Sequence, residues 1–308
     1  NASRTMLHNL KTGKWDPELL KLVGIKASNL PAVQPTCSDF GTTSAKDAGF
    51  SAPIRSVVGD QQSAAFAQGC STKGIMKNTY GTGLFVVSET GSSVKLNDHL
   101  ITTVAASDSD VLQYALEGSV FIGGAGIQWL RDGLNLFKKA DETEKIALSI
   151  NSNGGVYFVP ALVGLGCPYW NSRARGLFTG ITRGTTAAHF IRAGLEAMAF
   201  STKDVIDVMV KTSGIRVKSL RVDGGAARNN FLMQFQADLL NVPVERPRIT
   251  ETTALGAAGL AGITAGFWKN RSAFLKLNPI EKVFKPKMKP AERKRLCAEW
   301  AQAVRRTL

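Results

Sequence analysis

The stretch that most restricts the fold is residues 219–240, "SLRVDGGAARNNFLMQFQADLL". A short β-branched run closes on paired glycines and passes at once into an apolar-periodic helix pattern. Strand, glycine turn and helix in that order point to a largely buried sheet covered by helices, an α/β architecture. The same syntax recurs from Gly74 onward. "GIMKNTYGTGLFVVSET" reads as two short strands around a tight Gly81-Thr82-Gly83 turn. "ITTVAAS" and "VLQYALE" read as further strands, and a helix opening with "GGAGIQW" is expected over about residues 124–137. "VYFVPAL" and "RGLFTGI" are strand-like, and a long helix is expected over about residues 186–212. "VPVERP" reads as a strand, and "TTALGAAGLAGITAGFW" as a small-residue helix able to approach a neighbour closely. Residues 1–30 are expected to be mostly helical, with "DPELLKLVGI" carrying an Asp-Pro start signal. Residues 31–52, including "DFGTTSAKD", read as a polar loop.

At 308 residues the chain has room for one large or two ordinary domains. No run of about 18 apolar residues and no charged-then-apolar leader stands out, so a cytoplasmic protein without a membrane span is expected. The chain begins at Asn1, without methionine, as though cut from something longer. Cys37, Cys70, Cys167 and Cys297 are scattered, which argues for reduced thiols rather than a disulfide framework or a zinc site. His8, His99 and His189 are too dispersed for a histidine metal centre. The net charge is +14, and the segment from Lys269 to Leu308 holds 12 basic and 3 acidic residues. That tail raises a nucleic-acid reading. The better one is a docked helix with a solvated basic face, since Leu296, Trp300, Ala303 and Val304 keep helical spacing and no stacking aromatics interleave the charges.

One acid stands where a strand gives way to a helix, in "VVGDQQSAAFAQG" (residues 57–69). Asp60 reads either as a plain N-cap or as a group facing the crevice where α/β proteins gather ligands. Three glycine turns lie further on, at residues 81–83, 123–126 and 224–225. Glycine lets backbone N–H groups approach an anion, and a following helix adds its positive end. Asn229 sits one turn into such a helix, where its amide could read a base edge. Neither dinucleotide-fold nor P-loop spacing occurs in its usual setting. A lone polar acid and three turns suited to phosphates fit a kinase acting on a small alcohol, which needs a held nucleotide and a carboxylate to accept a hydroxyl proton.

At "GDQQSAAFAQG", "KNTYGTGLF", "ALEGSVFIGGAGIQWLRDGL", "VYFVPALVGLGCPYW", "ARGLFTGITRGTTAAHFIRAGLEAMAF" and "RVDGGAARNNFLMQFQADLLNVPVERPRITETTALGAAGLAG" the chain resembles the FGGY carbohydrate kinases, and among them the glycerol-acting branch. The resemblance implies the actin-like ATPase (ribonuclease H-like) fold. It implies a complete C-terminal nucleotide-binding domain over residues 69–308, preceded by the tail of the N-terminal domain over residues 1–68. It implies glycerol and ATP as substrates, with Mg2+. Asp60 would be the general base, Gln61 would bond a glycerol hydroxyl, and Phe85 would press on the glycerol carbons. Thr82 would meet the nucleotide phosphates, Gly124 and Gln128 would lie along phosphate and ribose, and Gly225 and Asn229 would cradle the adenosine. A missing N-terminal domain is the expected partner; no nucleic acid is expected, and a homo-oligomer is left open. The family's first-domain phosphate loop and most of its glycerol contacts have no counterpart here, and "GTTS" at residues 41–44 lies in a different place. The chain alone is therefore expected to bind ATP weakly, not to phosphorylate glycerol, and to expose an apolar sheet face. Gly194, inside the long helix, departs from the family pattern and is expected to cost about 1 kcal/mol relative to alanine without touching a site. The alternatives are another FGGY kinase acting on a sugar or polyol, and a non-catalytic nucleotide-binding module.

Overall fold

The computed structural model describes all 308 residues. The first 59 hold little regular structure: a hairpin of β1 (His8–Asn9) and β2 (Lys14–Trp15), then α1 (Pro17–Val23) and the single turn α2 (Ala45–Ala48). The expectation of mostly helix over residues 1–30 fails for a local reason. Gly13, at φ +68°, closes the hairpin, so α1 is confined to seven residues. The Asp-Pro start is real: Asp16 accepts from the N–H groups of Glu18 and Leu19, Pro17 fills the first position, and Gly24 ends the helix left-handed. Only a two-stranded hairpin forms here, and the exposed apolar side chains gather on and just after α1, at Leu19, Leu22, Val23 and Ile25, rather than on a sheet face.

After α3 (Asp60–Ala67) come β3 (Ile75–Tyr80), β4 (Leu84–Gly91), β5 (Ile101–Val104) and β6 (Tyr114–Val120). Then follow α4 (Gly124–Asp132), α5 (Glu142–Leu148), β7 (Tyr157–Val159), β8 (Leu177–Thr179) and the long α6 (Ala187–Ser213). The remainder is β9 (Ser219–Asp223), α7 (Asn230–Leu240), β10 (Val244–Pro247), α8 (Thr252–Thr264), α9 (Arg271–Leu275), β11 (Ile280–Phe284) and α10 (Pro290–Arg305). Seven strands form one sheet in the order β11-β10-β9-β3-β4-β6-β5, with β10, β9 and β3 parallel and the other pairings antiparallel. Relative to the sequence reading, α4 stops five residues early and β6 starts at Tyr114 rather than at residue 111.

The two faces of the sheet differ in chemistry. Met76, Tyr80, Leu84, Val86, Leu116 and Leu220 are buried in the main core, and on that face Asn78 donates to Thr202 of α6 at 2.9 Å. The alternate residues Lys77 and Thr79 face the other way, toward α3. There α3 is clamped by α8: a Cβ added at Gly256 would stand 2.0 Å from the Ser63 carbonyl oxygen, and Ser63 Oγ donates to the Thr253 carbonyl at 2.6 Å. The small-residue helix is thus a close-packing element, as its composition predicts.

Gly194 has a contact role. A Cβ there would come within 2.7 Å of Leu130 and 3.1 Å of Ile127, both on α4. The missing methyl lets α6 approach the helix that carries Gly124 and Gln128, so this residue does bear on the predicted site.

The basic C-terminal helix is docked: Leu296, Trp300, Ala303 and Val304 are all buried. Trp300 Nε1 and Tyr169 Oη both donate to Asp204 Oδ2, at 2.7 and 2.8 Å. Burial outweighs those bonds and pushes the Asp204 carboxyl up from 3.8 to about 6. A carboxyl raised on folding gives stability that is complete below its unfolded value and is lost as the pH climbs through the folded one. Between pH 4 and pH 7 the chain is therefore expected to lose on the order of 2 kcal/mol from this group, allowing for partial solvent access. Thermal unfolding of Asp204→Asn against the parent chain over that range checks it; parallel curves would remove Asp204 as the cause.

Candidate active site

Thr82, Gly124, Gln128, Gly225 and Asn229 line one cavity of about 440 Å³, walled by Tyr80, Ile127, Phe137, Leu195 and Met198. Its floor is made of main chain. The turn at residues 81–83 follows β3, and its carbonyls take the first amides of α4: Gly124 N donates to Gly81 O at 2.8 Å, and Gly123 N to Thr82 O at 2.8 Å. Only glycine fits this stitching, since a Cβ at Gly124 would meet Gly81 O at 2.8 Å. Gly224, at φ +83°, lies equally close to the Tyr80 backbone. One expectation needs correcting here. The leading amides of α4 are occupied by turn carbonyls, so the helix start at Gly124 contributes a close surface rather than free anion donors.

At the third turn the chain opens. A Cβ on Gly225 would meet no atom within 4 Å, because the space beside it is the cavity. Asn229 uses its side-chain oxygen to cap α7, accepting from Leu232 N at 3.0 Å, while its Nδ2 donates to Thr143 Oγ1 at 3.3 Å. Both its polar ends are thus engaged at the cavity wall.

Asp60 is exposed and opens α3; Gly59, not Asp60, holds the N-cap position, so the plain capping reading fails. Both Asp60 oxygens are met by the next residue: Gln61 N donates to Oδ1 at 2.8 Å and Gln61 Nε2 to Oδ2 at 3.3 Å. The Gln61 oxygen in turn accepts from Lys77 Nζ, which also donates to Thr79 Oγ1 at 2.6 Å. Lys77 is wholly buried, and desolvation pulls its ammonium below the usual lysine range against the opposing fields of Asp223, Glu117 and Asp60. Buried Asp223 accepts at Oδ2 from Gln68 Nε2 (2.8 Å) and from Thr252 Oγ1, leaving Oδ1 without a protein partner.

These two neighbourhoods share strands. Lys77 and Thr79 lie on β3, which runs directly into the Gly81 turn, and Asp223 ends β9 directly before Gly224. Asp60, Gln61 and Phe85 stand outside the cavity lining. Half-buried Phe85 sits on β4 opposite Thr79 and Ser119 in register, its ring 3.5 Å from where a Gly83 Cβ would be.

Sequence reasoning missed Lys77, Asp223, Thr252 and Glu117, all buried or nearly so on the α3 side. One signal was available: a lysine in the apolar interior of "GIMKNTY" breaks strand patterning and needs an acidic or polar host. Nothing local marks Thr252, whose partner lies 29 residues away.

Both segments of the chain match known family domains. The C-terminal domain of the FGGY family of carbohydrate kinases matches residues 76–265, and the N-terminal domain of that family matches residues 1–67. Glycerol kinase 2 of Thermotoga maritima is 52% identical over 309 aligned positions, covering 100% of this chain and 62% of the relative. The glycerol kinase of Bacillus licheniformis is 53% identical over 306, covering 99% and 62%. The chain thus spans 62% of the length of these curated relatives. Among solved structures, Plasmodium falciparum glycerol kinase with ADP superposes with a TM-score of 0.93 at 37% identity, over 100% of this chain and 62% of that one. A xylulose kinase from Lactobacillus acidophilus, at 23% identity, shares the fold with a TM-score of 0.84 over 97% of this chain and 61% of that one. The architecture is the actin-like ATPase fold. No helix is long and apolar enough to cross a membrane. With matched family models over both its segments, this chain belongs to the FGGY family of carbohydrate kinases.

Proposed function

We propose that the protein to which this chain belongs transfers the γ-phosphoryl group of ATP to glycerol, giving glycerol 3-phosphate and ADP. One observation carries the reading: five residues separated by up to 147 positions line a single cavity, and the strands that deliver them also position Asp60 and Gln61. In the transfer, a glycerol hydroxyl gives its proton to Asp60 as its oxygen bonds the γ-phosphorus and the bond to the β-phosphate bridging oxygen breaks. Gln61 would hold a second hydroxyl, and Phe85 would cover the carbon chain. Thr82, Gly124 and Gln128 would run along phosphates and ribose, with Gly225 and Asn229 at the adenosine. The relatives named for glycerol kinase activity, and the ADP in the Plasmodium structure, support both substrates. The chain presents no cluster of three or more metal-ligating side chains. Mg2+ enters this reading as an ion that would be held by the ATP phosphates and water together with one or two carboxylates, its usual manner of binding in kinases.

An actin-like kinase closes two domains on its nucleotide, so the 308-residue chain by itself is expected to bind ADP but not to turn glycerol over. Adding the N-terminal length carried by the Thermotoga relative should produce glycerol-dependent ADP release, with xylulose as the comparison acceptor. Gly225→Val tests the cavity separately. A Cβ at this position meets no protein atom within 4 Å, so the fold should persist while ADP affinity in calorimetry falls roughly tenfold or more. Unchanged affinity would move the nucleotide elsewhere.

A further inference from the structure

We infer that Lys77 is the positioning residue that fixes the Asp60–Gln61 pair, an inference that rests on the kinase reading above. Lys77 is buried among neutral hydrogen-bond partners: its two bonds go to the Gln61 side-chain oxygen and to Thr79 Oγ1. No carboxylate touches it, so it is not one half of a structural ion pair.

Its donor-only chemistry decides the orientation of an amide. An ammonium can only donate and an ionised carboxylate can only accept. Gln61 lies between the two, so its oxygen must face Lys77 and its Nε2 must face Asp60, which is the arrangement found. The flipped amide would set two donors against each other on one side and two acceptors on the other. With the amide held, Asp60 Oδ2 accepts from Gln61 Nε2 and Oδ1 from Gln61 N, so the carboxylate plane is fixed by a single neighbour. The lone pairs left over then present a defined direction for an incoming hydroxyl proton.

The charge surroundings suit this task. Asp223 and Glu117 each carry a buried oxygen with no protein partner, and Arg4 lies 3.6 Å from the other Glu117 oxygen. Arg221 is committed to Glu245 and to the Gln68 carbonyl. Lys77 is thus the cation that touches the acid–amide pair, through the Gln61 side-chain oxygen. Position 77 also sits four residues before the nucleotide turn on the same strand, so Lys77 ties the acid to the strand that carries the phosphate-facing loop.

The test is Lys77→Met, which keeps side-chain length and removes the donor. In the 308-residue chain, the Gln61 side-chain amide resonances should shift and broaden while ADP-induced shifts at Gly225 and Asn229 persist. In the form extended by the relative's N-terminal length, kcat should fall roughly tenfold or more with the KM for ATP unchanged. Unmoved Gln61 resonances, or unaltered kcat, would overturn the inference. Should Lys77→Met fail to fold, the unsubstituted chain answers instead: Lys77 ammonium protons should be protected from exchange and show an NOE to Gln61, and their absence would overturn it. If the extended parent form has no glycerol-dependent turnover, the kinase reading fails, while the Gln61 resonances still report on Lys77.

Discussion

Asp60→Asn, made in the extended kinase form, is expected to lower kcat by roughly 100-fold or more while leaving ADP affinity close to that of the parent. Asparagine keeps the shape of the side chain and can still accept from the Gln61 backbone N–H through its single oxygen. It cannot take a proton from an alcohol. It also turns an amide donor toward Gln61 Nε2, replacing an attraction with two facing N–H groups. Nucleotide binding should survive, because Asp60 is absent from the lining of the cavity that gathers Thr82, Gly124, Gln128, Gly225 and Asn229. Steady-state kinetics together with calorimetric ADP titration separates the two effects. Turnover near that of the parent would take the base role away from Asp60.

Gly256→Val is expected to destabilise the chain by about 3 kcal/mol or more. The first added atom would sit 2.0 Å from a backbone oxygen of α3, and a carbonyl in mid-helix cannot swing aside as a side-chain tip can. Relief requires α3 and α8 to separate. That would break the Ser63–Thr253 bond, which spans the crossing. Valine, being β-branched, recovers little of the helix propensity that replacing glycine with alanine would give. Urea unfolding monitored by circular dichroism gives the number. A midpoint matching the parent would mean that the two helices slide past each other without cost.

Much of this was legible in the sequence because it depends on nearest neighbours along the chain. The strand pair around residues 81–83, the helix at 187–213 and the docked tail through Trp300 all follow from period and glycine placement. The hairpin at residues 8–15 was not legible, because two-residue strands leave no period to read. The site divides the same way. The turns that build the cavity announce themselves as glycines, and the acid stands out at a strand–helix junction. Lys77, Asp223 and Thr252 matter only through partners reached across the sheet, and the α4 amides are used up by a turn about 40 residues earlier, which no local pattern encodes.

The cavity floor has a consequence for how such a pocket can diversify. Where Gly81, Gly123, Gly124 and Gly224 meet, peptide groups press directly on peptide groups, with the Leu84 side chain reaching in beside Gly123. Exchange of amino acids can therefore repaint the walls, at Gln128, Arg131 or Phe137, and so retune which base and ribose are welcomed. The grip beneath is cast in backbone that only glycine leaves room for, so an exchange there breaks the pocket rather than retuning it.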